Sequence, residues 1–339
     1  MNCKLTASLF ACFAAMFFVG CGNTEPASSP KKNFTETQTS AELTSVSLAL
    51  NWFPEAEHGG FYEAVVKGYY REAGLDVRIL SGGPNAPVLQ KVSGGSVQFG
   101  VSTADRVLLG RAQEVDVVAV MSPFQESPRC IIVHKKSGIT KFEELKNLTL
   151  AISPGGTFSQ YLQKKLPLEG VKIVPYPGNV SQFLLDENYA QQAYVFSEPF
   201  VAEKEGGDPH SLMASDLGYN PYTSILITTS KTISENPALV QKMVAASIRG
   251  WQSYLENPDE TNKHINGLNP EMGLDILAYG VKALKPLCIT EAVPKEQLGL
   301  MTAERWIELA SQLVEAEAID SDTVDPATAF TVQFLNSSE

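Results

Sequence analysis

Four short stretches collect the residue types that could hold a small molecule. Asn51-Trp52-Phe53-Pro54-Glu55-Ala56-Glu57-His58-Gly59-Gly60 brings together an amide, two aromatic rings, two carboxylates and an imidazole. Ser102-Thr103-Ala104-Asp105-Arg106 and Ser153-Pro154-Gly155-Gly156-Thr157 supply hydroxyls and a glycine pair, and Phe196-Ser197-Glu198-Pro199-Phe200 sets an acid just before a proline. Trp52 with Phe53 offers a face on which a flat ligand can stack, an interaction worth roughly 1–3 kcal/mol per base. The same two rings at a strand end could equally be core residues. Gly155 and Gly156 can present backbone N–H groups to an anion or a carbonyl; the plain alternative is a bare glycine turn. Glu198 can accept hydrogen bonds from a ligand's amino group, whereas most isolated glutamates are simply solvated.

These stretches gain meaning from the elements before them. Strand-type runs are read at Val46–Leu50, Leu75–Leu80, Val97–Val101, Val115–Met121, Cys130–His134, Thr149–Ile152, Val171–Pro175, Ala193–Phe196 and Ser224–Thr228. Helical patterns lie between several of them, such as GFYEAVVKGYYREAG, closed by Gly74. That alternation is the mark of βαβ units and parallel sheets covered by helices. In such sheets ligands bind beyond the carboxyl ends of the strands, which is where NWFPEAEHGG, STADR, SPFQESPR, SPGGT and FSEPF all stand. From Ser234 onward the chain is helical, with Leu239, Val240, Met243, Val244, Ile248, Trp251, Tyr254 and Leu255 at helical spacing.

The whole chain narrows the field. Its 339 residues carry 38 acids against 26 bases, a net charge of −12 that argues against nucleic acid as a partner. Lys4 followed by the apolar run Leu5–Val19 reads as a leader too short to span a membrane. It ends in Phe18-Val19-Gly20-Cys21, similar to a bacterial lipoprotein cleavage site with Cys21 as the lipidated residue. An ordinary signal peptide and a cleavage ending at Cys12 are the competing readings. The polar stretch after Cys21 cannot bury enough surface to order itself and reads as a tether. Of the five cysteines, Cys130 and Cys288 remain in the body, as a pair or as two buried thiols. No nucleotide-binding glycine motif, HExxH, paired CxxC or complete G-x-S-x-G elbow is present, and the four histidines lack metal-ligand spacing. The weight therefore moves from catalysis to binding, with no catalytic residue, cofactor or metal expected.

The stretch LALNWFPEAEHGGFYEAVVKGYYREAGLDVRI resembles the opening of bacterial solute-binding proteins for thiamine-pyrimidine precursors, nitrate and alkylsulfonates. The matching elements are Leu50, Trp52, Pro54, His58, Gly60, Lys67-Gly68-Tyr69-Tyr70 and Gly74-Leu75-Asp76-Val77. The likeness continues through VQFGVSTADRVLLGRAQ, GITKFEELKN, SPGGT, SEPFVAEKEG and ENPALVQKMVAASIRGW, covering nearly all of the body. It implies an α/β protein of the periplasmic-binding-protein type II class. Two α/β lobes would be joined by a two-stranded hinge, with C-terminal helices packed on lobe one. The organisation expected is a lipoprotein signal peptide over 1–20, a tether over 21–44, lobe one over 45–127 and 223–339, and lobe two over 128–222.

The resemblance also implies a role and a site. A monomer would be held by lipid at Cys21 in the periplasm or at the cell surface, delivering its ligand to an ABC permease served by a separate ATPase. The ligand-binding residues expected are Asn51, Trp52, His58, Ser102, Thr103, Gly155, Gly156, Thr157 and Glu198. Asn51, Trp52 and His58 favour the pyrimidine-precursor branch; riboflavin, nitrate and alkylsulfonate are the alternatives. Glu55 departs from the asparagine common after Pro54 in the family, and lobe two looks short between Ile152 and Glu198, which keeps the ligand open. A eukaryotic relative, the thiamine pyrimidine synthase, is the enzymatic rival. Its Schiff-base lysine and sacrificed histidine correspond here to Ser102 and Arg106, and GYNPYTS lacks its iron-binding cysteines. A serine cannot form a Schiff base.

Overall fold

A computed structural model of the chain describes residues 43–335. The expected signal peptide, Cys21 and most of the tether lie outside the described residues. The first strand, β1 (Thr44–Ala49), begins inside the segment expected to end the tether.

Two sheets make the body. In the first, β1 lies between β2 (Leu75–Leu80) and β3 (Phe99–Ser102), parallel to both, and β4 (Val118–Met121) forms the far edge. The second holds β5 (Arg129–His134), β6 (Thr149–Ala151), β7 (Lys172–Val174), β8 (Tyr189–Tyr194) and β9 (Pro209–Met213) in the order β7-β6-β8-β5-β9. There β6 runs parallel to β7 and β8, and β5 runs antiparallel to β8 and β9. The chain then returns, and β10 (Ile225–Thr228) inserts between β3 and β4, antiparallel to both. Every residue of β3, β4 and β10 is buried, as expected of strands covered on both faces.

Two strands differ from the sequence reading. The segment expected at Ala193–Phe196 forms β8 several residues upstream, because Gln191 and Gln192 interrupt the apolar run although Gln191 is fully buried. β9 was not anticipated: it starts at Pro209 and lies at the sheet edge, where a missing N–H costs no ladder bond.

The C-terminal helices cover the first sheet's side. Helix Pro237–Tyr254 packs Val240, Met243, Val244 and Trp251 into a core with Val46, Leu48, Phe61 and Phe99. Its Gly250 would put a Cβ only 2.2 Å from the Gly60 carbonyl oxygen, so glycine permits the close crossing with helix Gly59–Val66. Two later helices also reach the second sheet's side. From Leu274–Cys288, Tyr279 stacks on Phe200 at 4.8 Å and Asp275 pairs with Lys204 at 2.5 Å. Beside the end of Ala303–Glu315, Glu315 and Glu317 each meet a lysine of helix Thr157–Lys165 at 2.8 Å.

Residues 122–128 and 214–224 carry the chain between the sheets, and Arg305 binds both crossings. Its Nε donates to the Asn220 carbonyl at 2.7 Å, Nη2 to Asn220 Oδ1 at 2.9 Å and Nη1 to the Gln125 carbonyl. The guanidinium lies 3.9 Å from the centre of the Tyr222 ring. Cys130 and Cys288 are free and buried, so the pairing alternative is set aside. Among the described residues no helix is long and apolar enough to cross a membrane.

Candidate ligand-binding site between the two sheets

The loop after β1 is shaped from the backbone outward. A Cβ on Gly82 would fall 2.3 Å from the Leu50 carbonyl oxygen, and the Gly82 N–H donates to the Trp52 carbonyl at 2.9 Å. Only a residue without a side chain allows this approach, which fixes Asn51 and Trp52 at the carboxyl end of β1. The chain then enters a short 3-10 turn, Ala56–His58, that runs into helix Gly59–Val66. Glu57 and His58 are fully buried there.

Glu57 is the hub of this half of the site. It accepts from Asn51 Nδ2 at 3.1 Å and from Ser224 Oγ at 3.3 Å. His58 Nε2 lies 3.0 Å from Glu57 Oε1 and 3.0 Å from Asn51 Oδ1. Both neighbours are acceptors, so Nε2 carries the proton, and the buried Nδ1 has no partner among the described residues. Ser224 reaches Glu57 from the point where the chain returns to the first sheet. Its φ of 52° lies in the left-handed region that non-glycine residues seldom occupy.

The second sheet contributes Glu198, at the start of helix Glu198–Lys204 after β8. Its carboxylate accepts from the Tyr176 hydroxyl at 2.6 Å and the Tyr194 N–H at 2.9 Å. Burial pushes its pKa up; the Tyr176 and Tyr194 hydrogen bonds pull the other way without cancelling it, and Glu57 adds repulsion. Glu55 is 5% exposed. Burial first, then the charges of Glu57 and Glu198, hold its pKa well above the usual carboxylate range. Among the described residues no hydrogen-bond donor reaches its side chain.

A further cluster ties the sheets together. Asp105, in the first turn of helix Ala104–Ala112, accepts from Thr103 Oγ1, from Thr157 Oγ1 at 2.5 Å and from the Tyr219 hydroxyl at 3.1 Å. Thr157 opens the helix after β6, so this bond joins the first sheet's side directly to the second's. Arg129 approaches Asp105 to 4.0 Å, with its guanidinium 5.7 and 5.8 Å from the ring centres of Phe158 and Tyr194. Burial alone would raise the Asp105 pKa, but Arg129 and the Thr103 and Thr157 hydroxyls outweigh it and leave it low.

The expected residues thus fall into distinct groups. Asn51 and His58 meet around Glu57, Thr103 and Thr157 meet on Asp105, and Glu198 faces the acids of the first loop. Ser102 is buried at the end of β3, paired in register with Ile225. Trp52 is only partly buried and stands edge-on to Phe53 at 5.5 Å; it is absent from the core, where Trp251 and Trp306 are fully buried. Gly155 and Gly156 form an outward-facing turn, and a Cβ on Gly155 would meet nothing. Sequence reasoning passed over Glu57, Asp105, Arg129, Tyr176, Tyr194 and Tyr219. Glu57, Asp105 and Arg129 stood inside the quoted loops, but their partners lie far along the chain. Among the described residues no group of three or more His, Cys, Asp or Glu is arranged to hold a metal ion.

Two mixed α/β sheets with ligand-competent loops between them define a periplasmic-binding-protein fold. The chain belongs to the NMT1/THI5-like family, whose model matches residues 55–261. It is 26% identical over 331 residues to the riboflavin-binding protein RibY of Chloroflexus aurantiacus, covering 91% of this chain and 90% of that one. It is 24% identical over 297 residues to the formylaminopyrimidine-binding protein of Halalkalibacterium halodurans, covering 82% and 88%. A 4-amino-5-hydroxymethyl-2-methylpyrimidine phosphate synthase of Candida albicans is 26% identical over 250 residues, covering 68% and 73%. Among solved structures, the periplasmic aliphatic sulphonate binding protein SsuA of Escherichia coli superposes with a TM-score of 0.63 at 14% identity, covering 84% and 91%.

Proposed function

We propose that this protein is the solute-binding component of an ATP-driven importer, capturing a small polar heterocycle of the thiamine-pyrimidine kind between two lobes. The lobes are 45–127 with 223–339, and 128–222, and they move about the two crossing segments as a hinge. Lipid at Cys21 tethers a monomer outside the membrane beside a permease with its own ATPase. One observation carries the reading: carboxylates and aromatic rings from both sheets converge on one place. Glu57, braced by Asn51, His58 and Ser224, faces Glu198, braced by Tyr176 and Tyr194. Acceptors in such a setting suit ring N–H and amino groups that donate, and the partly exposed Trp52, next in sequence to Asn51, offers a ring for stacking.

The relatives named for formylaminopyrimidine and for riboflavin support a heterocyclic ligand, and the extent of the RibY match keeps a flavin as the second reading. Arg129 approaches Asp105 only to 4.0 Å and its buried Nε has no hydrogen-bond partner among the described residues, so sulfonate and nitrate stand as the third reading. The synthase reading is disfavoured by Ser102, which has no amine for a Schiff base. A thermal-shift screen tests the proposal with aminopyrimidines, riboflavin, nitrate and alkylsulfonates. A true ligand at 100 times its dissociation constant should add about 2.7 kcal/mol of stability. Stabilisation by an anion alone would overturn the heterocycle reading.

A further inference from the structure

Strand β5 begins with Arg129 in the site between the sheets and ends with His134 at the far end of the second sheet. Strand geometry sets these two residues roughly 17 Å apart. The His134 side chain is only 7% exposed, and its Nδ1 lies 2.7 Å from Asp208 Oδ1. Its ring stacks on Phe183 with centres 4.0 Å apart and planes 3° from parallel. The bond to His134 holds the Asp208 carboxyl below its usual pKa range, so Asp208 is an acceptor. Nδ1 therefore carries the imidazole proton, and Nε2 keeps a lone pair. That Nε2 is buried and has no hydrogen-bond partner among the described residues. A buried acceptor left unmatched is costly.

His134 is also in the wall of a cavity of about 400 Å³. Asp208 precedes β9 on one side of β5, whereas Asn188 and Tyr189, at the start of β8 on the other side, belong to the cavity wall. With Nδ1 pinned toward Asp208, Nε2 is turned toward the β8 side and the cavity. Buried Val133 and Leu148 give the wall an apolar part, and the exposed Lys136 and Lys146 bring ammonium groups to it. Glu187 is matched by Lys136 at 3.7 Å, and Glu144 accepts from the Thr140 and Lys141 N–H groups at 2.7 and 3.2 Å. Lys146 pairs with no carboxylate among the described residues, so the unmatched charge of the wall is positive. From this geometry we infer that the cavity is a second small-molecule site, for an organic anion that carries a hydroxyl or N–H donor. The donor bonds to His134 Nε2, and the anionic group, carboxylate or phosphate, pairs with Lys146. Among the described residues no three His, Cys, Asp or Glu are arranged to hold a metal ion, which leaves the lone pair to an organic donor. Nothing in this site draws on the loops between the sheets or on their ligand.

The test uses the full chain with malate and glycerol 3-phosphate as probes, a carboxylate and a phosphate that each carry a hydroxyl. Succinate, without the hydroxyl, and glycerol, without the charge, are the comparators. Titration calorimetry should show binding of malate, of glycerol 3-phosphate or of both, and the binding probe should move the His134 imidazole nitrogen resonances in NMR spectra. The variant His134→Asn keeps an amide N–H for Asp208 but lacks the Nε2 acceptor, and it should bind about 3- to 10-fold more weakly. Lys146→Ala, at an exposed position, should weaken binding about 2- to 5-fold. A histidine with a merely structural role would leave both affinity and resonance unmoved. Should His134→Asn fail to fold, the wild-type resonance and Lys146→Ala decide, and an unmoved resonance at saturation overturns the site. No binding of either probe up to about 10 mM would overturn it as well. So would equal affinities in wild type and His134→Asn, or succinate and glycerol binding as tightly as the two probes.

Discussion

Trp52 and Glu55 stand three residues apart, yet replacing them should have different consequences for the ligand-free protein. Trp52 is partly exposed and touches Phe53 rather than the core. Trp52→Ala should therefore weaken ligand binding by roughly 1–3 kcal/mol, about 5- to 150-fold in dissociation constant. The melting temperature should change little, and Trp52→Phe should recover much of the affinity. Affinity and melting measured on the same proteins decide the matter: normal binding by a folded Trp52→Ala protein would end the stacking role. Glu55 works against the folded state instead. Its folded pKa is raised, so the folded protein holds that proton more tightly than the unfolded chain does. Ionising it costs stability, a loss that grows as pH rises above the ordinary glutamate value of 4.5 toward the raised one. Glu55→Gln should thus melt higher than wild type at neutral and alkaline pH and converge with it in acid. The gain should be about 2–4 °C for each kcal/mol relieved. A variant that melts no higher at alkaline pH would show that the site already compensates the charge.

At the scale of elements, Arg305 has the largest consequence. One guanidinium fork from a C-terminal helix satisfies carbonyls in both segments that cross between the sheets. Arg305→Lys keeps the charge but cannot reach both carbonyls in the same planar geometry. It should cost about 1–3 kcal/mol, read as a shift in urea midpoint, with faster hydrogen exchange in residues 122–128 and 214–224. A midpoint indistinguishable from wild type would mean the crossings are held by other contacts. The strands show how far elements could be read beforehand. β1, β2 and β5 carry apolar runs that announce themselves, and helix Pro237–Tyr254 declares its buried face by spacing. β8 does not, because Gln191 is buried by its neighbours and not by its own hydropathy. β9 is short, starts with proline and acquires strand geometry only by pairing with β5.

For the molecule as a whole, ligand-bridged lobes should close. A ligand touching both halves shifts the population by its differential affinity for the closed arrangement. Small-angle scattering should therefore report a smaller radius of gyration when the protein is saturated. An unchanged radius at demonstrated saturation would count against a hinge. The direct Thr157–Asp105 bond and the lysine pairs with Glu315 and Glu317 are the contacts that opening would have to break. The anchor is a separate matter. Cys21→Ser should release the protein from membranes without changing ligand affinity, and unchanged membrane association would remove the lipoprotein assignment.

What the sequence determined by itself was local. Alternating apolar patterns specified an α/β body, and glycine, proline and polar clusters after strands located NWFPEAEHGG, STADR, SPGGT and FSEPF as the loops worth examining. The spacing of Leu50, Trp52, Pro54, His58 and Gly60 carried the family. Only the tertiary structure decided which of those polar residues are already engaged. Glu57 and Asp105 find their donors in Ser224, Thr157 and Tyr219, far away in sequence. Side-chain satisfaction depends on what folding brings within hydrogen-bond distance, and no spacing along the chain encodes that for partners on opposite sheets.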